Sequence, residues 1–510
     1  MPAMLKTLSK AKLFSYVISL IGGICMGLTV APVNAWFLAW FSLAPLWVMV
    51  VKASKKSNVI LLALIWAIAY HGIALSWITG IHPMDWLGVP WLASLSITLF
   101  CWGFISLWGG ILVSFWSILL VNLHETKPWL RVLWGVALWC GLESLWSMGS
   151  LWWTSLSYTQ SPYNLVILHL GQISGPNTVT AVIVAVNGLI AEAWLKWGEK
   201  KGKKYIFTAT AILIISHLVG LALYLQPLPQ IPSEALKIGI VQGNISNLIK
   251  LTPEGYRRAV ENYTQGYLTL ANQGVNAVLT PESALPKYPQ QIQQLPIITA
   301  IQEKGIIAWI GAFGEKGNAY TNSLFTVTAN GEFTSRYDKS KLVPLGEFIP
   351  FEEILGKLIN RLSPLEARQV HGAANQIFDT PFGRAIVGIC YESAFTENFR
   401  RQAANGGQFI LSAANDAHYA QSMPAQHHAQ DIMRAIETDR WAVRATNTGY
   451  SAFVNPHGQT LWISGYNTYE THAETIYRQQ TKTLYVRWGD WLMPLLLGLS
   501  AVSWISGKFL

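Results

Sequence analysis

The chain has 510 residues, is 51% hydrophobic and only 12% charged, and carries 24 Trp and a net charge of +9. Soluble domains usually contain about 25% charged residues, so a wholly water-soluble protein is excluded. The basic excess raises nucleic acid as a partner, but the positions of the basic residues exclude that reading.

A helix needs about 20 apolar residues to cross the hydrocarbon layer. Runs of that kind predict spans near 13–30, 36–51, 58–77, 90–121, 131–146, 165–193, 205–225 and 488–506. The first is too long, and too closely followed by the next, for a cleaved signal peptide. Gly109-Gly110 could split 90–121 into two short helices, and the basic residues decide against it. With 90–121 as one crossing, one set of connections holds Lys6, Lys10, Lys12, Lys52, Lys55, Lys56, Lys127, Arg131, Lys196, Lys200, Lys201, Lys203, Lys204 and Lys508. The alternate connections, 31–35, 78–89, 147–164 and 226–235, hold no Lys or Arg. Positive charge is retained in the cytoplasm. The sequence therefore predicts a polytopic α-helical membrane domain of about eight spans, seven before a soluble region and one after, with both termini cytoplasmic. The expected division is 1–230 membrane, 231–482 soluble and extracytoplasmic, 483–510 a final helix. His71 and Glu143 fall within spans, where ionisable groups are functional candidates by default; interfacial or interhelical hydrogen bonding explains each equally well.

In the soluble region, short apolar runs predict strands at 236–242, 275–282, 306–313, 321–328, 385–390, 409–415 and 449–455. Asn330-Gly331 and Pro456-His457-Gly458 mark turns. Helical patches at 253–273, 289–304 and 425–443 lie between them, which indicates a layered α/β domain with a mixed sheet. His427-His428 is a weak metal signal, since neighbours on a helix point in different directions; no metal and no other cofactor is expected.

Three stretches with polar residues interrupt this pattern. Glu282 ends a strand in 279-LTPESALP-286, Cys390 ends another in 386-IVGICYESAF-395, and 337-YDKSKLVPLGEFIPFEE-353 offers Lys339, Lys341 and Glu347 in a loop stiffened by Pro344 and Pro350. Ligands in open α/β sheets bind beyond the carboxyl ends of strands. A carboxylate, an amine and a thiol there can act as base, oxyanion partner and nucleophile, although solvated Glu and Lys are common. Cys390 is the sole cysteine of the soluble region, so it is either buried filler or a nucleophile.

In this order, "PES", "YDKSKLVPLGE" and "GICYES" resemble the Glu-Lys-Cys triad of the nitrilase, or carbon-nitrogen hydrolase, superfamily. Seven spans before such a domain and one after resemble its membrane-embedded branch, the apolipoprotein N-acyltransferase family of the bacterial plasma membrane. The segments 152-WWTSLSYTQSP-162 and 446-TNTGYSAFVNPHGQ-459 extend the likeness over nearly the whole chain.

The resemblance implies an αββα sandwich on the periplasmic face of a multi-pass inner-membrane protein. It implies Glu282 as general base, Lys339 as oxyanion stabiliser and Cys390 as nucleophile, with Glu347, Tyr391 and Glu392 supporting and Asn415 and His418 as candidate substrate contacts. Lys339 is preferred to Lys341 because the family lysine lies eight residues before the Glu of "GE". The implied reaction carries an acyl chain from a membrane phospholipid, through a cysteine thioester, to the α-amino group of a diacylated apolipoprotein, with the enzyme a monomer. His418 stands where the family usually has Trp, Ala420 where Gly is common, and Leu345 replaces the usual Phe, which puts substrate preference in doubt rather than the reaction. The rivals are a membrane-tethered amidase with the same triad and a transporter or receptor with a soluble binding module. The loop 354–378 is a candidate lid.

Overall fold

The computed structural model describes residues 2–349 and 368–508. Of the candidate lid, residues 354–367 lie outside the described residues. The chain divides into two compact units, one of Met1–Thr79, Ser96–Gln226 and Trp488–Leu510, the other of Gly80–Leu95 and Pro227–Arg487.

In the first unit, four helices among the described residues are long and apolar enough to cross a membrane: Lys56–Ala74, Trp91–Val121, Pro176–Leu195 and Lys201–Tyr224. The run 90–121 is one helix of 31 residues, continuous through Gly109 and Gly110. Two expected spans are not single helices. The run 36–51 forms a tight turn, Trp36–Trp40, then a nine-residue helix, Ala44–Lys52, begun by Pro45. The run 165–193 gives two four-residue turns before helix Pro176–Leu195. Gly175, at φ 72°, and Pro176 make the break, because Gly takes up a left-handed backbone and Pro at the first helical position gives up no hydrogen bond.

Glu143 is explained by hydrogen bonding. Its carboxylate accepts from Trp139, the Ser155 hydroxyl, the Leu156 amide and the Thr180 hydroxyl. It thereby pins the irregular segment 155–160 to helices Pro128–Met148 and Pro176–Leu195, in a setting where unsatisfied backbone groups are costly. His71 Nδ1 lies 3.1 Å from the Thr154 hydroxyl.

The second unit contains two six-stranded sheets. In chain order the strands are β1 (Ala235–Gln242), β2 (Ala277–Leu279), β3 (Ile307–Lys316), β4 (Ala319–Val327), β5 (Phe333–Asp338), β6 (Phe378–Thr380), β7 (Gly383–Ile389), β8 (Phe409–Ala414), β9 (Ala442–Thr446), β10 (Ala452–Val454), β11 (Thr460–Ile463) and β12 (Glu470–Tyr477). The sheet orders are β12-β1-β2-β3-β4-β5 and β11-β10-β9-β8-β7-β6. β1, β2 and β3 are parallel, as are β7, β8 and β9.

The period of two along each strand builds the layers. Ile238 and Ile240 of β1 join Val387 and Ile389 of β7, Leu411 and Ala413 of β8, and Val443 of β9 in one core between the sheets. Val241, Val278, Ala308 and Ile310 face the other way, onto Tyr263, Tyr267 and Leu270 of helix Pro253–Ala271 and Ile297 and Ile301 of helix Pro296–Lys304. Helices Thr396–Ala404 and Ser422–Thr438 accompany the second sheet. The unit is an α/β layered sandwich.

Several expected boundaries shift. The patch 289–304 divides at Pro296, and the strand expected at 275–282 is three residues long. The helix expected over 425–443 ends at Thr438, because 442–446 is the fully buried strand β9. The run 449–455 shortens to β10, and β6, β11 and β12 add strands that the apolar pattern does not mark.

Candidate active site

Parallel strands bring their carboxyl ends to one edge, and the polar residues gather there. Beyond β2, Thr280 holds the chain to β3: its amide donates to the Trp309 carbonyl and its hydroxyl oxygen accepts from Gly311 N–H. Gly311 is obligatory at this approach, since a Cβ there would lie 2.0 Å from the Pro281 oxygen. Glu282 follows, 6% exposed, then Ser283 in a left-handed backbone at φ 46°.

Lys339 follows β5 and is 1% exposed. Its ammonium donates to Glu282 Oε1 at 2.9 Å and to Glu347 Oε1 at 2.7 Å. Glu282 Oε1 also accepts from Asn322 at 2.6 Å, and Glu347 Oε2 from Val343 N–H at 2.7 Å. Burial alone pulls the Lys339 amine down, but the two carboxylates outweigh it and hold the ammonium well above the usual lysine range. Lys341 lies elsewhere, half-buried over the Phe395 ring at 4.6 Å.

Cys390 ends β7 and opens a short turn, Cys390–Ala394, with its own backbone left-handed at φ 51°. Such a conformation costs a non-glycine residue on the order of 1–3 kcal/mol and persists only where neighbours enforce it. Here Glu392, fully buried, is one such neighbour. Its carboxylate accepts from Ile389 N–H at 2.8 Å, from Ser340 N–H at 2.8 Å, from the Ser340 hydroxyl at 2.5 Å and from the Tyr337 hydroxyl at 3.1 Å. One side chain therefore joins the residue before Cys390 to the residue after Lys339. The Cys390 thiol is raised well above its usual value by burial first and then by the Glu282 carboxylate, with Lys339 pulling it down.

The remaining sequence candidates are nearby but differently engaged. Tyr391 sets its ring edge-on against Phe395. The Asn415 side chain accepts from Asn447 at 3.0 Å, and Asn447 in turn donates to the Ile245 carbonyl. Burial first, then the Lys250 charge, lower His418 to about 4, so its ring is neutral at physiological pH. Leu345 adopts φ 65° in the loop between Lys339 and Glu347.

Sequence reasoning missed a second network behind the thiol. His427 Nε2 donates to the Cys390 carbonyl at 2.8 Å, and its Nδ1 faces Asp416 Oδ1 at 3.0 Å. Arg444 of β9 pairs with Asp416 at 3.0 Å and Asp431 at 2.6 Å, all three fully buried. Burial raises Asp416, but His427 and Arg444 outweigh it and hold the carboxyl below its usual range. Donor atoms of Cys390, Asp416 and His427 lie within 4.8 Å of one another. His427 directs one ring nitrogen at Asp416 and the other at the Cys390 carbonyl. The signal was Arg444, a charge inside an apolar run, which demands buried carboxylates. Lys250 was also missed: it is 7% exposed and its ammonium points at the Glu282 carbonyl.

A buried thiol, an amine held by two carboxylates and a third carboxylate bracing their loops are suited to acyl transfer through a covalent intermediate. The profile described as carbon-nitrogen hydrolase matches residues 237–484, and that described as apolipoprotein N-acyltransferase N-terminal domain matches residues 22–189. A protein of Nostoc sp. named apolipoprotein N-acyltransferase is 67% identical over 488 residues, covering 95% of this chain and 98% of that one. Proteins of the same name from Synechocystis sp. and Thermosynechococcus vestitus are 47% identical (94% of this chain, 98% of that one) and 43% identical (93% and 92%).

Proposed function

The chain belongs to the apolipoprotein N-acyltransferase family, and from that membership we propose that Cys390, Glu282 and Lys339 carry its acyl transfer as a two-stage exchange. Glu282 takes the thiol proton as Cys390 attacks an ester carbonyl of a membrane phospholipid. The C–S bond forms, and Lys339 compensates the charge on the carbonyl oxygen. Collapse expels the lysophospholipid alkoxide, which takes the proton from Glu282 and leaves a thioester. The α-amine of a diacylglyceryl-cysteine then attacks, the C–N bond forms, the proton passes through Glu282 and the thiolate departs. Glu347 and Glu392 position these groups.

The observation that carries this reading is the cluster of buried Glu282 and Lys339 with half-buried Glu347 at the carboxyl ends of the strands, within electrostatic range of Cys390. An amine held protonated there cannot be the base, which leaves that role to a carboxylate. The Lys and Arg distribution over the connections supports a catalytic unit outside the cytoplasm with both termini inside.

The test is mass spectrometry of the purified protein after incubation with phospholipid. An acyl group on the Cys390 peptide, released by neutral hydroxylamine and absent from Cys390→Ser, is the expected result. Fatty acid or ammonia release without a transferable acyl-Cys390 points to the tethered amidase, and lipid binding without an adduct to a binding protein.

A further inference from the structure

Lys250 is a buried cation for which the exchange described above has no use. It closes the turn after β1, its amide donating to the Ser246 carbonyl at 2.9 Å, and its side chain is turned inward. Among the described residues the ammonium makes one long hydrogen bond, 3.4 Å to the Glu282 carbonyl oxygen, and no carboxylate pairs with it. Lys339, equally buried, has two carboxylates at 2.7 and 2.9 Å.

An ammonium has three donors and no acceptor, and leaving a buried donor unsatisfied costs about 1–3 kcal/mol. Lysines normally extend their heads to water over an apolar stem; this one faces the reaction site. Burial lowers it to about 8, with Glu282 and Cys390 the charges that oppose the fall. His418 senses Lys250 and Glu282 in turn, so a neutral imidazole lies within electrostatic range of both. Charge balance alone does not account for the arrangement. Glu282 and Glu347 are matched in number by Lys339 and Lys250, yet Lys250 touches neither carboxylate. Among the described residues it lacks acceptors rather than countercharge.

We propose that Lys250 binds the phosphodiester anion of the donor lipid. The assignment rests on the acyl-transfer reading given above. Of the two substrates of that reaction, only the donor carries an anion a few bonds from its reacting ester. The acceptor arrives with an ammonium, which a buried cation repels. A phosphodiester offers two unesterified oxygens to the Lys250 donors. Lys250 thus fixes which end of the donor enters first and sets the ester against Cys390.

The experiment uses the full chain in mixed micelles and reads the rate of acyl-Cys390 formation by intact-protein mass spectrometry. The donors are phosphatidylglycerol and a diacylglycerol with the same acyl chains but no phosphate. Lys250→Met is expected to raise the half-saturating mole fraction of phosphatidylglycerol at least tenfold, with a much smaller fall in maximal rate. The preference for phosphatidylglycerol over diacylglycerol should fall by a similar factor, and Lys250→Arg should keep that preference to within a few fold. Equal losses on both donors, no preference in the wild type, or an Arg variant no better than Met overturns the assignment and leaves acyl transfer standing. A wild type that forms no acyl-Cys390 with either donor refutes acyl transfer itself, and the Lys250 assignment with it.

Discussion

Replacing Glu282 by Gln should make Cys390 more reactive towards a small disulfide while it abolishes acyl transfer. The thiol is raised by burial and by the Glu282 carboxylate, and lowered by Lys339. A single charge at short range is worth roughly 1–3 pKa units. Glu282→Gln removes a raising charge and frees Lys339 from one of its two carboxylates. Each unit of fall multiplies the thiolate fraction about tenfold but weakens the thiolate about threefold, for a Brønsted slope near 0.5. The net gain is about threefold per unit, so the variant should react about 3- to 30-fold faster at neutral pH. Lys339→Met should act in the opposite direction. In each case the rate rises with pH as the thiol deprotonates, and the midpoint of that rise moves down for Glu282→Gln and up for Lys339→Met. Meanwhile acyl-Cys390 formation should fall by about 10²–10⁴-fold in Glu282→Gln, the usual contribution of a positioned base. The assay follows 4,4′-dithiodipyridine modification of the Cys390 peptide across pH, with acylation measured on the same samples. A slower thiol in Glu282→Gln, or equal midpoints in all three proteins, would refute the electrostatic account of the site.

Two further outcomes follow from the same geometry. Gly311→Ala drives a Cβ to 2.0 Å from the Pro281 oxygen, so Glu282 must shift; kcat for acylation should fall by roughly 10²-fold, as for a misplacement of about 1 Å, while Cys390→Ser in the same assay gives no adduct at all. Asp416→Asn removes a carboxyl whose folded pKa is depressed. Such a group stabilises the fold above its unfolded pKa of about 3.9, and that contribution is lost as pH falls through the folded value. The variant should unfold at lower temperature at pH 7, and the gap to wild type should narrow below about pH 4; a gap that widens in acid contradicts the pairing.

The sequence made Glu282 and Cys390 legible because each lies beyond the carboxyl end of an apolar strand, whereas Lys339 follows the polar strand β5 and was legible from its loop motif. Lys339 and Cys390 follow β5 and β7 directly and Glu282 lies three residues beyond the end of β2, and a short apolar strand with a polar residue beyond it is visible without any knowledge of its partners. Glu392 was visible only as a neighbour of Cys390, and its four donors arrive from Tyr337, Ser340 and Ile389, a convergence that no local pattern encodes. Apolar content alone also misjudged helix continuity. Gly175-Pro176 breaks the run 165–193, and Pro45 delays the helix in 36–51; both are breaker signals overridden by the mean hydropathy around them.

The network behind Cys390 was hidden for a different reason. His427 and Asp431 lie on a helix whose residues from Met423 to Thr438 are nearly all buried, so polarity there does not mark a solvent face. Treating 425–443 as one helix absorbed the start of β9 and with it the meaning of Arg444, whose position in a five-residue buried strand requires acid partners. A charged pair fully withdrawn from water is weak as a source of stability. What this one does is hold Asp416 where it orients His427, and His427 where it fixes the Cys390 carbonyl in the left-handed turn. The Cys390 backbone is thus held from one side by Glu392, through Ile389 N–H, and from the other by His427. Removing either should misplace the thiol without touching its proton acceptor, a loss of geometry rather than of chemistry.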